Sequence, residues 1–165
     1  MNIDIVTARS KGIIRDQCEF IKPKPRVHNH HLTIQHWQLR DLLTCPRSSD
    51  EFIYISQNQV NSYNTRHRST NQLIADLPFK PNSITSANGY LAVGGQKGQV
   101  MVRQLYGNWS TQLTVNANIN NALCISKHLD GTRLLVCNND QTIKIFSLPG
   151  MTRLPDITFP TAVNH

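Results

Sequence analysis

The sequence predicts an all-β protein built from repeated small antiparallel sheets, and three observations carry that expectation. Charged residues make up only 16% of the chain while Asn, Gln, Ser and Thr abound, a polar but uncharged surface that suits strands and turns better than long solvated helices. The stretch Arg133–Ser147 reads as two short strands, the unbroken apolar Leu134–Cys137 and the alternating Thr142–Phe146, around the polar turn Asn138-Asn-Asp-Gln141. An unbroken apolar run marks a strand covered on both faces. Period-two alternation marks a half-exposed one, with Ile143 and Ile145 on one side and Thr142, Lys144 and Phe146 on the other. The pattern also recurs: Ile53, Leu91 and Leu134 hold the same place in three successive second strands, at steps of 38 and 43 residues.

Taken in order, residues 1–37 form an N-terminal extension. Ile3, Ile5, Gly12-Ile-Ile14 and Cys18-Glu-Phe-Ile21 predict short strands there. In Lys22-Pro-Lys-Pro-Arg26 the alternate prolines exclude helix and any central strand, so this piece reads as an extended linker. From Gln38 the repeat begins. Residues 38–80 hold strands at Leu42–Cys45, Glu51–Ser56, Val60–Tyr63 and Gln72–Ala75. Residues 81–117 hold Ser83–Ser86, Tyr90–Gly94, Gln99–Arg103 and Trp109–Val115; residues 118–160 hold Ala122–Ile125, the two strands above, and Thr152–Thr158. Leu129-Asp-Gly131 and Pro149-Gly150 mark turns, and Pro155 fits only a sheet-edge strand. Residues 161–165 read as the start of a further unit. Four short strands recurring about every 40–45 residues are the pattern of propeller blades. The expectation is a partial β-propeller of about three four-stranded antiparallel blades. Propellers close with 4–8 blades, so the chain is expected either to be truncated or to cover its open faces by self-association.

One motif is specific. Leu129-Asp-Gly131 followed by Asn139-Asp140-Gln-Thr-Ile-Lys-Ile-Phe146 is similar to the D-G, then D-x-T-I-K-I-W pattern of the WD-repeat family. The resemblance implies that Asp140 is the turn carboxylate tying the second and third strands of its blade; Gly95, Gly98 and Gly131 read as structural turn residues from the tight turn and the D-G joint themselves. The sequence also departs from the family. No Gly-His precedes Ala122, so the usual histidine is missing from the network around Asp140. Phe146 stands for Trp, Ser147 for Asp, and Arg103-Gln104 replaces the ending of the second unit. More narrowly, His36-Trp-Gln-Leu-Arg-Asp-Leu42, Asn64-Thr-Arg66, Leu77-Pro-Phe79 and Gly89-Tyr-Leu-Ala-Val-Gly-Gly95 resemble a group of fungal WD-repeat proteins over most of residues 22–165. That resemblance implies a non-catalytic interaction scaffold and supplies no catalytic residues.

The chemistry read from the residues agrees. Basic residues exceed acidic ones by 17 to 10, without a run of like charge. The N-terminus lacks the basic lead and apolar core of a secretory signal, and no stretch has the length of a membrane span, so cytoplasm or nucleus is expected. Cys45, Cys124 and Cys137 fall in apolar strand patterns and read as buried reduced thiols. His28, His30, His31 and His36 lie close together, but with no carboxylate or thiol arranged beside them no metal is expected. Gly94-Gly-Gln-Lys-Gly98 precedes a strand rather than a helix, so it reads as a tight turn and not a phosphate loop. Ser126, His128 and Asp130 need not converge, and Asp50 and Glu51 point to opposite faces of a strand. No catalytic residue and no cofactor is predicted. Candidate partner-binding residues are Trp37, Arg66, His67 and Arg68. Other proteins are the expected partners; with Tyr54 and Tyr63, the alternative is a cationic, aromatic surface for nucleic acid or anionic lipid.

Overall fold

The computed structural model describes Lys24, residues 26–38 and residues 41–164. The strands expected over Ile3–Ile21, and Cys18 with them, lie outside the described residues. The described chain forms twelve strands and no helix, in three four-stranded antiparallel sheets. Blade 1 comprises β1 (Leu43–Thr44), β2 (Glu51–Ser56), β3 (Gln59–Asn64) and β4 (Ser69–Ile74). Blade 2 comprises β5 (Pro81–Ala87), β6 (Tyr90–Gly95), β7 (Gln99–Gln104) and β8 (Ser110–Thr114). Blade 3 comprises β9 (Asn120–His128), β10 (Gly131–Asn138), β11 (Thr142–Leu148) and β12 (Thr152–Thr158). In each sheet the strands follow one another in chain order, and the first strands of adjacent blades touch: β1 lies by β5 and β5 by β9. This is the arrangement of a partial β-propeller.

The sequence pattern explains the stacking. In β6, Leu91, Ala92 and Val93 are all fully buried. Leu91 and Val93 pack with Ile53, Ile55, Val60 and Leu77 of the blade 1 unit. Ala92, with Val100 and Val102 of β7, packs with Ile125, Leu134, Val136 and Phe146 of blade 3. A middle blade must be apolar on both faces, and each such Leu, Ile or Val contributes about 1.5–3 kcal/mol by leaving water.

Each blade closes in the same way. A residue just past the outer strand donates its amide to a carbonyl in the turn between the second and third strands: Leu77 to Asn58 (2.7 Å), Val115 to Gly98 (2.9 Å) and Phe159 to Gln141 (2.8 Å). Five residues beyond each donor stands an asparagine, at 82, 120 and 164. Asn82 Nδ2 donates to the Asn120 carbonyl (3.0 Å), and Asn120 Nδ2 to the Gln99 carbonyl (2.7 Å).

Several expectations need correction. β4 begins at Ser69, inside the segment read as a loop, and β9 runs on to His128. β10 is not covered on both faces: Leu134 and Val136 are buried, whereas Leu135 is half-buried because no sheet lies beyond blade 3 among the described residues. In β11 the side that holds Lys144 and Phe146 faces the core, and the Ile143–Ile145 side is the more exposed one. Cys45 and Cys124 are exposed rather than buried, for Cys124 lies beside Leu135 on the open face of blade 3. Cys137 is buried, and burial, helped by neighbouring Cys124, pushes its thiol pKa up.

Candidate functional site

Three places stand out once the strands are positioned: the turn around Asp140, the outer face of blade 1, and the open face of blade 3.

Asp140 sits in the β10–β11 turn. Its Oδ1 accepts from Thr142 N (3.2 Å) and Thr142 Oγ1 (2.6 Å); its Oδ2 accepts from Lys144 Nζ (2.6 Å) and Asn116 Nδ2 (2.7 Å). Burial raises its pKa, but the bonds from Lys144, Thr142 and Asn116 outweigh burial and hold the carboxyl at about 2. Lys144 is only 2% exposed, and the carboxylate is what allows a cation there. Asn116, in the loop before β9, also exchanges amide bonds with Asn138 (2.6 and 2.9 Å). Asn138 in turn donates to Asn120 Oδ1 (3.0 Å). Asn116 thus bonds the turn carboxylate from the loop where the family resemblance implied a histidine. The run Asn116-Ala-Asn-Ile-Asn-Asn121 was the available signal. No buried side-chain N or O lacks a partner among the described residues, so this lattice reads as structural.

The predicted turn glycines divide. Gly98 (φ +71°) and Gly131 (φ +136°) occupy left-handed backbone, and a Cβ on Gly98 would collide with the Asn116 carbonyl. Gly95 ends strand β6 instead; a Cβ there would lie 2.7 Å from both Phe79 Cδ2 and Gln99 Oε1, so close packing requires it. Gly94–Gly98 leads into β7, as expected of a turn.

On blade 1, residues 26–38 form a strap. His28 Nδ1 and Tyr63 Oη share a hydrogen bond of 3.0 Å, and His30 Nδ1 and Tyr54 Oη one of 2.9 Å. The His30 ring lies 4.1 Å from Tyr63, 5.2 Å from Tyr54 and 6.2 Å from Phe52, centroid to centroid. Gln57 N donates to Thr33 Oγ1 (2.8 Å), and Gln96 Nε2 reaches the Gln35 carbonyl (2.9 Å), tying the strap to blade 2 as well. His28 and His30 lie on one face of the strap, and that face meets aromatic rings. No group of three or more metal-ligating side chains forms among the described residues.

Of the predicted contact residues, Arg66, His67 and Arg68 occupy the exposed β3–β4 turn. Asn64 Oδ1 accepts from the amides of Arg66 (3.0 Å) and His67 (2.9 Å), and Arg66 pairs with Asp50 at 2.6 Å. Trp37 is 73% exposed and stacks on His36 near the end of the strap. Tyr54 and Tyr63 are buried, so they offer no exposed stacking surface. Ser126 and His128 lie on β9, and Asp130, in the following turn, is held by Arg133 (2.6 Å) rather than bonded to either. Asp50 and Glu51 are engaged separately, Glu51 by Ser62 Oγ (2.7 Å).

On blade 3, two rows of side chains cross all four strands in register. One runs Cys124, Leu135, Ile145, Leu154; the other runs Ala122, Cys137, Ile143, Ile157. Leu135, Ile143, Ile145 and Leu154 belong to neither core cluster, and Ile157 is 46% exposed. An open blade face was expected from the sequence, but not that Ile143 and Ile145 would lie on it, because strand alternation alone does not say which side is covered.

No helix among the described residues is long and apolar enough to cross a membrane. No family model matches the sequence. The chain is similar to an uncharacterized protein of Schizosaccharomyces pombe, with 27% identity over 151 residues covering 86% of this chain. It spans 42% of that relative's length, well under half.

Proposed function

We propose that this chain is part of a WD-repeat-type, non-catalytic scaffold that binds other proteins. The observation that carries the reading is the open apolar face of blade 3, where Leu135, Ile145 and Leu154 form a continuous row with no sheet against it among the described residues. Contiguous apolar surface of this kind marks protein–protein contacts. The free thiols of Cys45 and Cys124 support placing the scaffold in the reducing cytoplasm or nucleus. Sedimentation velocity over a concentration series tests the reading. The wild type associates, whereas Ile145→Lys stays monomeric with an unchanged circular dichroism spectrum. A wild-type chain that remains monomeric at every concentration removes the support.

The second reading, a basic module for nucleic acid or anionic lipid, draws on the gathering of Lys24, Arg26, Arg66 and Arg68 around one groove. Binding of that kind falls steeply as salt rises.

A further inference from the structure

Between the start of the strap and the turns of blade 1 lie two adjoining open cavities of about 590 and 820 Å³. Both are lined by Arg26, His28, Thr65 and Arg66; Arg68 completes one, and Lys24, Ser49 and Asp50 the other. Four full cations therefore face one carboxylate, and that carboxylate is already held by Arg66. Among the described residues Lys24, Arg26 and Arg68 make no ion pair. The Arg66 side chain remains 73% exposed even while paired.

The walls are held in place. Thr65 N donates to the Asp50 carbonyl (2.7 Å), Asn64 Oδ1 caps the turn, and the His28–Tyr63 bond fixes the strap on the opposite side. Arginine forks carried on this fixed backbone, beside the hydroxyls of Ser49 and Thr65, suit an oxyanion with several acceptor oxygens, such as a phosphate monoester. Val27, 91% exposed at the rim, offers apolar contact to whatever flanks the anion.

We propose that this groove binds a phosphate monoester carried on a peptide segment. The cations gather around two adjoining hollows that share Arg26 and Arg66, a compact cluster rather than a long stripe along which a polynucleotide backbone could run. The nearby Tyr54, Tyr63 and Phe52 rings are occupied by the strap histidines, so among the described residues the groove offers no free aromatic platform for base stacking. A concave site of this volume takes one side chain with its neighbours, whereas a flat lipid surface meets few of its donors. The inference does not rest on the blade 3 face, and either can fail alone.

The test is a ¹⁵N–¹H NMR titration of the full chain with a degenerate pool of nine-residue peptides centred on phosphoserine. The same pool with serine, a thymidine oligonucleotide and phosphatidylserine vesicles run beside it. The phosphoserine pool shifts the amides of Asp50 and Thr65–Arg68, and the serine pool does not. Arg26→Gln combined with Arg68→Asn weakens binding about tenfold or more at an unchanged melting temperature; asparagine is chosen because Arg68 has φ +54°. No shift with the phosphoserine pool, equal shifts with both pools, tighter binding to the oligonucleotide or the vesicles, or full affinity in the double variant overturns the proposal.

Discussion

Among the described residues blades 1 and 3 flank the stack, and they treat their outward faces in opposite ways. Blade 1 turns Phe52, Tyr54 and Tyr63 outward and covers them with a strap whose histidines meet the phenol oxygens. Blade 3 turns Cys124, Leu135, Ile145 and Leu154 outward and leaves them uncovered by any sheet among the described residues. The difference lies in side-chain chemistry. A tyrosine-rich face can be closed by an extended segment, because each ring offers a polar tip as well as an apolar body. An aliphatic face has no such handle and is satisfied only by another apolar surface. An end sheet thus carries in its outward residues the kind of cover it accepts.

Four measurements would sharpen or break that comparison. The largest effect is expected at the polar side of blade 3. Asp140→Ala strands the buried Lys144 and should cost about 3–5 kcal/mol in urea unfolding, with Lys144→Met restoring most of it. If the single variant costs under 1 kcal/mol (about the worth of a surface pair), the cation is not held as described.

Next, Leu134→Ala and Leu135→Ala compare the two faces of one strand. The first should cost about 2–5 kcal/mol and the second about 1 kcal/mol or less, since only Leu134 is fully enclosed. Equal losses would mean that the blade 3 face is covered in solution. Third comes pH. The Asp140 pKa is depressed to about 2 from 3.8, so its stabilisation is complete above about pH 4 and fades as pH falls through 2. The stability gap between wild type and Asp140→Asn should therefore narrow by about 2 kcal/mol from pH 5 to pH 2; a constant gap would contradict the assignment. The smallest effect is at the strap. His30→Ala should cost about 1 kcal/mol or a little more and quicken proteolysis within residues 31–38 without altering cleavage in blade 3.

The strands were largely legible because each blade repeats an alternation that one can count, but the register was off by one in blade 1. Ile53 faces the following blade while Leu91 and Leu134 face the preceding one, so Ile53 and Leu91 meet across one interface instead of holding the same place. Strand ends were less so: Ser69 and Thr70 are polar and exposed, and they pair only because Asn64 and Tyr63 lie opposite them. The burial of Lys144 was hidden because hydropathy favours the isoleucine side, while the deciding partners, Asp140 and the neighbouring blade, are tertiary. The strap was illegible for a similar reason. His28 and His30 find their tyrosines 35 and 24 residues away, and no local pattern announces a contact at that distance. Asp140 lay inside a recognisable motif, whereas the asparagine run 116–121 signalled a polar network without saying that Asn116 is the one that reaches Asp140.

The bonds from Leu77, Val115 and Phe159 back to their own second turns have an evolutionary consequence. Because each blade fastens itself before the chain moves on, gene duplication or loss that cuts between these fastenings transfers an intact piece of architecture. The number of blades can then change by whole units while each retains its own closure, whereas a cut between the second turn and the end of the outer strand would separate the donor from its acceptor.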